Sequence, residues 1–335
     1  MRLGALILSV ALAVAGPAVA QVASPHAIEI PAWFTETFLD LREDVADAAK
    51  QGRRVMVYFG QDGCPYCTAL MQTGFRQKSI AEKAQRHFIA LALNIWGDRE
   101  VTWIDGKTMR EKDFARFMKV QFTPTLVFLD EKGAVVARVN GYYPPARLEA
   151  ALDYVAGKME SKLAFAEHLK SAPREAANEK LNEQPFLRPP PHDLRRGKGA
   201  KPMAVLFETN SCAACDEMHR EGFTRPEVLA QVAKFDVVRL HVGGADAVTT
   251  PQGKKLRADA WARELKVAYT PSIVFFDARG REAFRIEAYV RPFHLAGSFA
   301  YVSSGGYLRE PSFQRFLQAR AESLREAGRS VELWK

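Results

Sequence analysis

The chain repeats itself with a period near 148 residues, and this internal repeat restricts its possible folds more than any other feature. The four cysteines form two Cys-x-x-Cys pairs, CPYC at 64–67 and CAAC at 212–215, which coincide in that register. An apolar run precedes each pair, VMVYF at 55–59 and MAVLF at 203–207, and both runs are typical of buried strands. A length of 335 residues accommodates two such units, so the repeat predicts two domains rather than one large one.

The same succession of segments follows each cysteine pair. A helical pattern ends at Gly-Phe, an apolar strand and a further helix follow, a Lys-Val segment leads to Thr-Pro, and a strand hairpin and a helix close the unit. The matching segments are GF at 74–75 and 222–223, FIALAL at 88–93 and VVRLHV at 237–242, KVQFTPT at 119–125 and KVAYTPS at 266–272, and closing helices over 142–155 and 289–302. This order predicts an α/β fold in which each domain has a mixed central sheet flanked by helices.

The N-terminus has the pattern of a secretory signal peptide. Arg2 forms a short positive region, an almost uninterrupted apolar run spans 3–15, and Ala18-Val19-Ala20 is a small-residue cleavage site. We therefore expect cleavage after Ala20 and a periplasmic location, with an uncleaved membrane anchor as the alternative. The predicted organisation is a signal peptide over 1–20, a first domain over 21–160, a linker over 161–202 and a second domain over 203–335. The linker is expected to be helical over 162–169 and 173–181 and then a stiff proline-rich spacer over 185–191.

The charge balance gives no support to nucleic-acid binding. Lys and Arg exceed Asp and Glu by 47 − 39, which is a net charge of +8. The positive side chains are scattered among acidic ones, and the dense basic cluster at 195–201 lies in the predicted linker. We expect a solvated linker there and no nucleic-acid partner.

The position of each cysteine pair at the start of a helical pattern favours redox chemistry. Cys-x-x-Cys in the first helical turn brings two sulfurs close enough to bond, and the unpaired N–H groups and dipole of the helix stabilise the first thiolate. The second cysteine can then attack a mixed disulfide and release the partner. We therefore assign Cys64 and Cys212 as attacking thiols, and Cys67 and Cys215 as resolving thiols.

A Thr-Pro dipeptide follows each pair at nearly the same distance. Pro124 lies 60 positions after the first cysteine of its half, and Pro271 lies 59 after its own. A proline that opens a central strand is usually disfavoured because it cannot donate to the ladder. A cis peptide bond beside the active site would account for it, and would expose the backbone of Thr123 and Thr270 for strand-like pairing with a substrate.

Both halves resemble thioredoxin-fold domains, and the likeness is to the periplasmic thioredoxins of the sulfur-oxidation (Sox) type. It rests on FGQDGCPYC with KVQFTPTLVFLDEKG in the first half, and on ETNSCAAC with KVAYTPSIVFFDARG in the second. The resemblance implies reversible thiol–disulfide exchange with exported thiol or disulfide proteins. As a hypothesis, the two domains relay electrons from a membrane donor to a client. No cofactor or metal is expected beyond redox-active disulfides Cys64–Cys67 and Cys212–Cys215.

The sequence departs from that family at two kinds of position. Gly63 and Ser211 stand before the first cysteines, where thioredoxins usually have tryptophan. Tyr58 and Leu206 stand where thioredoxins have a buried aspartate that helps to move the resolving proton. Proton transfer would then need water or another group, with Glu208 as a weak candidate in the second half. Because the dipeptides between the cysteines also differ, the two reduction potentials are expected to differ.

Several alternatives stay open from sequence. The four cysteines could bind one zinc ion, could form inert structural disulfides, or could comprise one active and one degenerate centre. His219, four residues after Cys215, is expected on a helix surface. The whole protein could act as a non-catalytic scaffold that binds through the thioredoxin groove, or as a disulfide oxidase or isomerase. The direction of electron flow is not written in the residues.

Overall fold

A computed structural model of the chain describes residues 27–169, 172 and 177–331. The predicted signal peptide over 1–20 and part of the helix predicted over 173–181 lie outside the described residues. Within the described part, no helix is long and apolar enough to span a membrane. The predicted fold class is confirmed: two α/β domains each have a mixed four-stranded sheet with helices on both faces.

The first domain is organised around a strand that is buried along its whole length. This strand, Arg54–Gly60, packs against one apolar cluster through Met56 and Tyr58 and against a second through Val57 and Phe59. The elements of the domain are α1 (Leu41–Lys50), β1 (Arg54–Gly60), α2 (Pro65–Ala69), α3 (Lys78–His87), β2 (Phe88–Asn94), β3 (Glu100–Thr102), β4 (Thr108–Arg110), α4 (Glu111–Phe117), β5 (Thr125–Leu129), β6 (Val135–Asn140) and α5 (Pro145–Ala156).

The sheet of the first domain has the order β2-β1-β5-β6. β1 is parallel to β2 and antiparallel to β5, and β5 is antiparallel to β6. A parallel neighbour requires a crossover, which α2 and α3 supply, whereas β5 and β6 are joined by a tight hairpin. Gly133 in that hairpin has φ +80°, a conformation that favours glycine.

The second domain repeats this arrangement in the order β9-β8-β12-β13. A small additional sheet, β11-β10-β7, takes its edge strand from the connecting segment. The remaining elements are α6 (Phe165–Leu169), β7 (His192–Asp193), β8 (Met203–Glu208), α7 (Ala213–Glu217), α8 (Pro226–Val232), β9 (Asp236–His241), β10 (Ala247–Thr249), β11 (Lys255–Arg257), α9 (Ala258–Glu264), β12 (Ser272–Phe276), β13 (Glu282–Ile286), α10 (Pro292–Ser303), α11 (Gly306–Arg309) and α12 (Phe313–Glu326).

The connecting segment packs along the second domain. Residues 177–181, the described part of the helix predicted over 173–181, are not helical. Asn178 and Asn182 instead donate to the Asp216 carboxylate at 2.8 and 2.6 Å, on the helix that follows Cys212. Further along, the backbone N–H of Arg188 donates to a β9 carbonyl at 2.9 Å. The segment therefore packs on the second domain next to the second cysteine pair and does not extend through open solvent.

The two domains exchange an aromatic residue at equivalent positions. Phe122, two residues before Pro124, packs in the core of the second domain, with its ring 5.4 Å from Phe313. Tyr269, two residues before Pro271, packs in the core of the first domain, stacked 4.7 Å from Tyr143. Each Thr-Pro loop therefore faces the other domain, and burying each aromatic side chain stabilises the contact by about 2 kcal/mol.

Polar contacts fix the register of this interface. Gln121 accepts from the backbone N–H of Phe313 at 2.9 Å, and its own carbonyl accepts from the Gln314 amide at 2.8 Å. The strand ends also meet, because Asn140 donates to Glu287 at 2.8 Å. At this contact, Gly141 has φ +77°, and a Cβ there would lie 2.6 Å from Ala288 Cβ. A larger residue at this point would push the domains apart.

The helix α1 carries a carboxylate whose burial makes the first domain pH-sensitive. Burial raises the pKa of Asp44 to about 6, and the charges of neighbouring carboxylates add to the rise. A hydrogen bond from the Thr37 hydroxyl, at 3.3 Å, partly opposes it. The folded pKa therefore exceeds the unfolded value of about 3.9, so the folded state binds more protons between these values and loses stability as pH rises through this window.

Asp44→Asn is expected to stabilise the protein above pH 6 by about 1–2 kcal/mol, since asparagine cannot ionise, and to have little effect at pH 4. Thermal unfolding of the two proteins at pH 4 and pH 8 measures this. The exposed Glu227→Gln in the first turn of α8 is the control and should not stabilise the protein at either pH value. A stabilisation of equal size at both pH values would show that ionisation is not its cause.

Candidate active sites

The first cysteine pair lies at the N-terminus of α2, as predicted. Cys64 caps the helix: its Sγ accepts from the backbone N–H of Cys67 at 3.1 Å, and Pro65 occupies the first helical position, where no N–H is needed. The two cysteines are joined as a disulfide with their Cα atoms 5.2 Å apart. Backbone N–H groups directed at Sγ are the groups that stabilise a thiolate once the disulfide is reduced.

The predicted Thr-Pro element lies directly beside this pair. The Thr123–Pro124 bond is cis, and Cys64 Sγ is 3.5 Å from the Thr123 carbonyl oxygen and 3.4 Å from its hydroxyl. The Gln61 amide donates to the Thr123 hydroxyl at 2.8 Å, and accepts from the Trp96 indole at 2.7 Å. Gln61 also donates to Gln314 of α12 at 3.2 Å, so the second domain takes part in this network.

The second domain covers the CPYC centre. Cys64 and Cys67 are both 0% exposed. Burial raises the pKa of Tyr66, the residue between them, above its ordinary range, and the nearby positive charge of Arg291 from the second domain opposes the rise. Burial likewise raises the pKa of Tyr143, against which Tyr269 stacks. In this arrangement a folded client protein cannot reach the sulfurs of the first pair.

The second pair has the same local geometry. Cys212 Sγ accepts from the Cys215 N–H at 3.1 Å at the start of α7, the two cysteines form a disulfide, and the Thr270–Pro271 bond is cis. The preceding residue has positive φ in both domains, +71° at Gly63 and +54° at Ser211. Positive φ suits glycine, and at Ser211 a hydrogen bond from its N–H to the Asn178 carbonyl, at 2.8 Å, holds the backbone in place.

An open cavity adjoins the second pair. It has a volume of about 1060 Å³, and Cys212 and Thr270 contribute to its wall. The opposite wall comes from the first domain, through Pro144–Arg147 at the start of α5 and through residues of α6. Cys212 is 8% exposed, so unlike Cys64 it retains contact with a space that a substrate can enter.

The second domain also holds a buried acid–base pair. Glu208 is fully buried at the end of β8, and its carboxylate lies 2.8 Å from His219 Nε2. The prediction of a surface position for His219 is wrong, because the partner that draws it inward lies on a strand eleven residues earlier. Tyr58 and Leu206, at the positions of the usual aspartate, are both buried. No cluster of three or more His, Cys, Asp or Glu side chains suited to a metal occurs in the described part of the chain.

In each domain, the structure brings the predicted cysteine pair and Thr-Pro loop together. Other residues contribute to the sites or to the domain interface without having been predicted. Phe122 and Tyr269, which hold the domains together, and Gln61, which joins the first Thr-Pro loop to α12, were not singled out. Each is a single polar or aromatic residue beside a motif, a signal too weak to interpret alone. Two CxxC disulfides at helix N-termini beside cis Thr-Pro loops define a thiol–disulfide oxidoreductase.

The comparisons with known proteins agree with this class. The family model of the thioredoxin-like domain matches residues 41–156 and again 194–303, so the chain belongs to this family. No curated protein matches significantly.

Solved structures with a similar fold align with one domain's length of the chain. A thioredoxin-fold protein from Helicobacter pylori is 24% identical, with 40% of this chain and 89% of that chain covered and a TM-score of 0.31. A thioredoxin from Thermus thermophilus is 28% identical, with 36% and 85% covered and a TM-score of 0.29. A putative disulphide-isomerase from Bacteroides thetaiotaomicron is 22% identical, with 42% and 98% covered and a TM-score of 0.30.

Proposed function

We propose that this protein is an exported, periplasmic oxidoreductase that reduces disulfides in client proteins, and that its two centres have different tasks. Cys212 attacks the client disulfide, and Cys215 resolves the mixed disulfide. The Cys64–Cys67 pair accepts electrons from a membrane donor, which reaches it when the two domains separate, and passes them on to the second centre. The reductive direction follows the expected similarity to periplasmic thioredoxins of the sulfur-oxidation type.

The observation that carries the proposal is the unequal access to two otherwise complete sites. Cys212 borders a cavity of about 1060 Å³, whereas Cys64 is 0% exposed and the second domain contacts the nearby Gln61. A thiolate can attack only a disulfide that reaches it, so the open centre is the one suited to protein clients. The backbone of Thr270, which lines the cavity, is placed to pair with an extended client segment.

The lining of the cavity indicates what such a segment should contain. Alanine, proline and aromatic side chains form much of the wall. Among the described residues that line it, Arg147, Arg263 and Lys266 add positive charge and Glu167 adds a carboxylate. We therefore propose clients that present a disulfide in an apolar segment flanked by acidic residues.

Trapping of mixed disulfides tests the division of tasks. Cys215→Ala leaves Cys212 without its resolving thiol, so it should accumulate client proteins as mixed disulfides in the native periplasm, whereas Cys67→Ala should accumulate a different and smaller set that includes the electron donor. Non-reducing electrophoresis and mass spectrometry identify both sets. The variant Cys212→Ala/Cys215→Ala is the control, which should trap no client. Identical partners for the two single variants would contradict the relay.

A further inference from the structure

The second domain contains a buried ionisable pair, Glu208 and His219, near the helix that begins at CAAC. The thiol–disulfide exchange steps described above do not involve this pair. Glu208 is 0% exposed and His219 is 4% exposed, and their side chains are joined at 2.8 Å. Burying two ionisable groups costs more than filling the same volume with apolar side chains unless they are well paired. The burial of this ionisable pair therefore points to a functional role.

The first domain shows that the fold does not need the pair. In the register of the repeat, Gly60 takes the place of Glu208 and Met71 takes the place of His219. A Cβ on Gly60 would collide with the hydroxyl of Tyr58, so the tyrosine ring covers the space above this glycine. A neutral phenol and a thioether complete the same core without any charge.

The pair lies one helical turn from the resolving cysteine. α7 continues without a break into a π-helical turn, Met218–Gly222, so Cys215 and His219 are related as i and i+4 in one continuous helix. Both side chains are buried, and residues at this spacing on a helix have Cβ atoms about 5–6 Å apart. His219 thus lies one helical turn after Cys215, and both residues belong to the buried part of the helix.

The hydrogen bonding leaves one nitrogen of His219 available. In the neutral tautomer that donates Nε2–H to an ionised Glu208 carboxylate, Nδ1 of the imidazole carries the lone pair. Nδ1 is buried and has no hydrogen-bond partner among the described residues. An imidazole oriented by a carboxylate, with its second nitrogen free, is the arrangement of a general base.

We propose that His219 accepts the proton of the Cys215 thiol while Cys215 resolves the mixed disulfide, and that Glu208 is a positioning residue that fixes the tautomer and stabilises the imidazolium. In this step the Cys215 S–H bond breaks and its proton goes to Nδ1. The Cys215–Cys212 disulfide forms, the bond from Cys212 to the client sulfur breaks, and the client leaves as a thiolate. The enzyme dithiol is oxidised by two electrons, and the client disulfide is reduced by two. The inference rests on the proposed function, since that assigns the attacking and resolving roles.

Other ionisable groups surround the pair. Asp216 on α7 interacts electrostatically with His219. His241 on β9 is paired with Glu208 in the register of the sheet, and His294 is buried on α10, which packs against the π-helical turn. The test therefore compares the rate of thiol release in each variant with that in the parent protein at the same pH. It does not interpret the pH profile of one protein by itself.

The test uses the full chain with Cys64→Ser/Cys67→Ser, so that only CAAC reacts. The reduced protein is mixed with dithiobis(nitrobenzoate), whose two coloured thiols are released in sequence: the first on attack by Cys212, the second when Cys215 resolves the mixed disulfide. His219→Met, which copies the first domain, is expected to slow the second release by about 10–100-fold at pH 6–7. The difference should shrink as pH rises, because hydroxide then removes the thiol proton in place of the imidazole. The isosteric Glu208→Gln should slow it in the same pH-dependent way, and carries the test if His219→Met does not fold.

His192→Asn, at a buried histidine in the small sheet, is the matched control and should leave both releases unchanged. A second release that is unaffected, or slowed equally at every pH, overturns the inference alone. Absence of the first release in the parent protein overturns the assignment of Cys212 as the attacking thiol, and the inference with it.

Discussion

Cys212→Ser is expected to abolish disulfide reduction by this protein, whereas Cys64→Ser leaves the initial rate nearly unchanged. Removal of the nucleophile eliminates the covalent step, so a loss of at least about 100-fold is expected for Cys212→Ser. Cys64 makes no comparable contribution in this assay because it is 0% exposed beneath the second domain, while Cys212 opens on the large cavity. The measurement is the reduction of insulin disulfides with dithiothreitol as the source of electrons, since this small reductant can recharge the CAAC centre without help from the first domain.

One further variant and one further substrate make this experiment decisive. Cys67→Ser should behave like Cys64→Ser, because it also alters only the covered centre. Reduced, unfolded RNase as the substrate tests the direction: a CAAC disulfide that oxidises it rapidly while insulin is reduced slowly would make the protein an oxidase. Equal losses of insulin reduction for Cys64→Ser and Cys212→Ser would contradict the division of tasks between the two centres.

The chemistry of the two sites could be predicted from sequence because it depends on local geometry. A cysteine pair directly after a buried strand and at the start of a helix places Cys64 and Cys212 at a helix N-terminus, whatever surrounds them. The strands before and after Thr-Pro are runs of apolar, largely β-branched or aromatic residues. Each strand could be predicted with support from both halves, because the equivalent segment of the other half has the same pattern. The helix α3 and the short strands β3 and β4 were not predicted. α3 is mostly polar and buries only Ile80 and Ala84, and each of the two strands is only three residues long.

The difference between the sites could not be predicted, because it depends on contacts between distant segments. An apolar residue in a loop, such as Phe122 or Tyr269, gives no sign of whether it packs in its own domain or in the other. His219 is flanked by charged and polar residues, so the helix around it resembles a surface helix until the partner carboxylate on β8 is located. Sequence identifies the groups, and tertiary structure determines which of them is covered, paired or open.

Phe122 and Tyr269 each pack in the core of the other domain, and this gives the second large prediction: removing the Phe122 ring should uncover Cys64. The test protein carries Cys67→Ala, Cys212→Ser and Cys215→Ser, so that Cys64 is the only thiol. Truncation of a buried phenylalanine costs about 3–5 kcal/mol, and each 1.4 kcal/mol changes an equilibrium tenfold. If this cost falls on the docking of the domains, Phe122→Ala raises the population of undocked molecules by about 100-fold or more. The alkylation rate of Cys64 by iodoacetamide rises by the same factor. Tyr269→Ala should act in the same direction from the other side of the interface.

The control is Phe59→Ala, which removes a fully buried ring from a first-domain cluster that contains no residue of the second domain. It should lower the free energy of unfolding by a similar amount, measured by urea denaturation, but leave the alkylation of Cys64 slow under native conditions. The comparison separates opening of the interface from loss of stability in general, because only the interface variants change a contact that covers the sulfur. If Phe59→Ala and Phe122→Ala accelerate alkylation equally, Cys64 reacts through unfolding of its own domain. The second domain would then not control access to the CPYC centre.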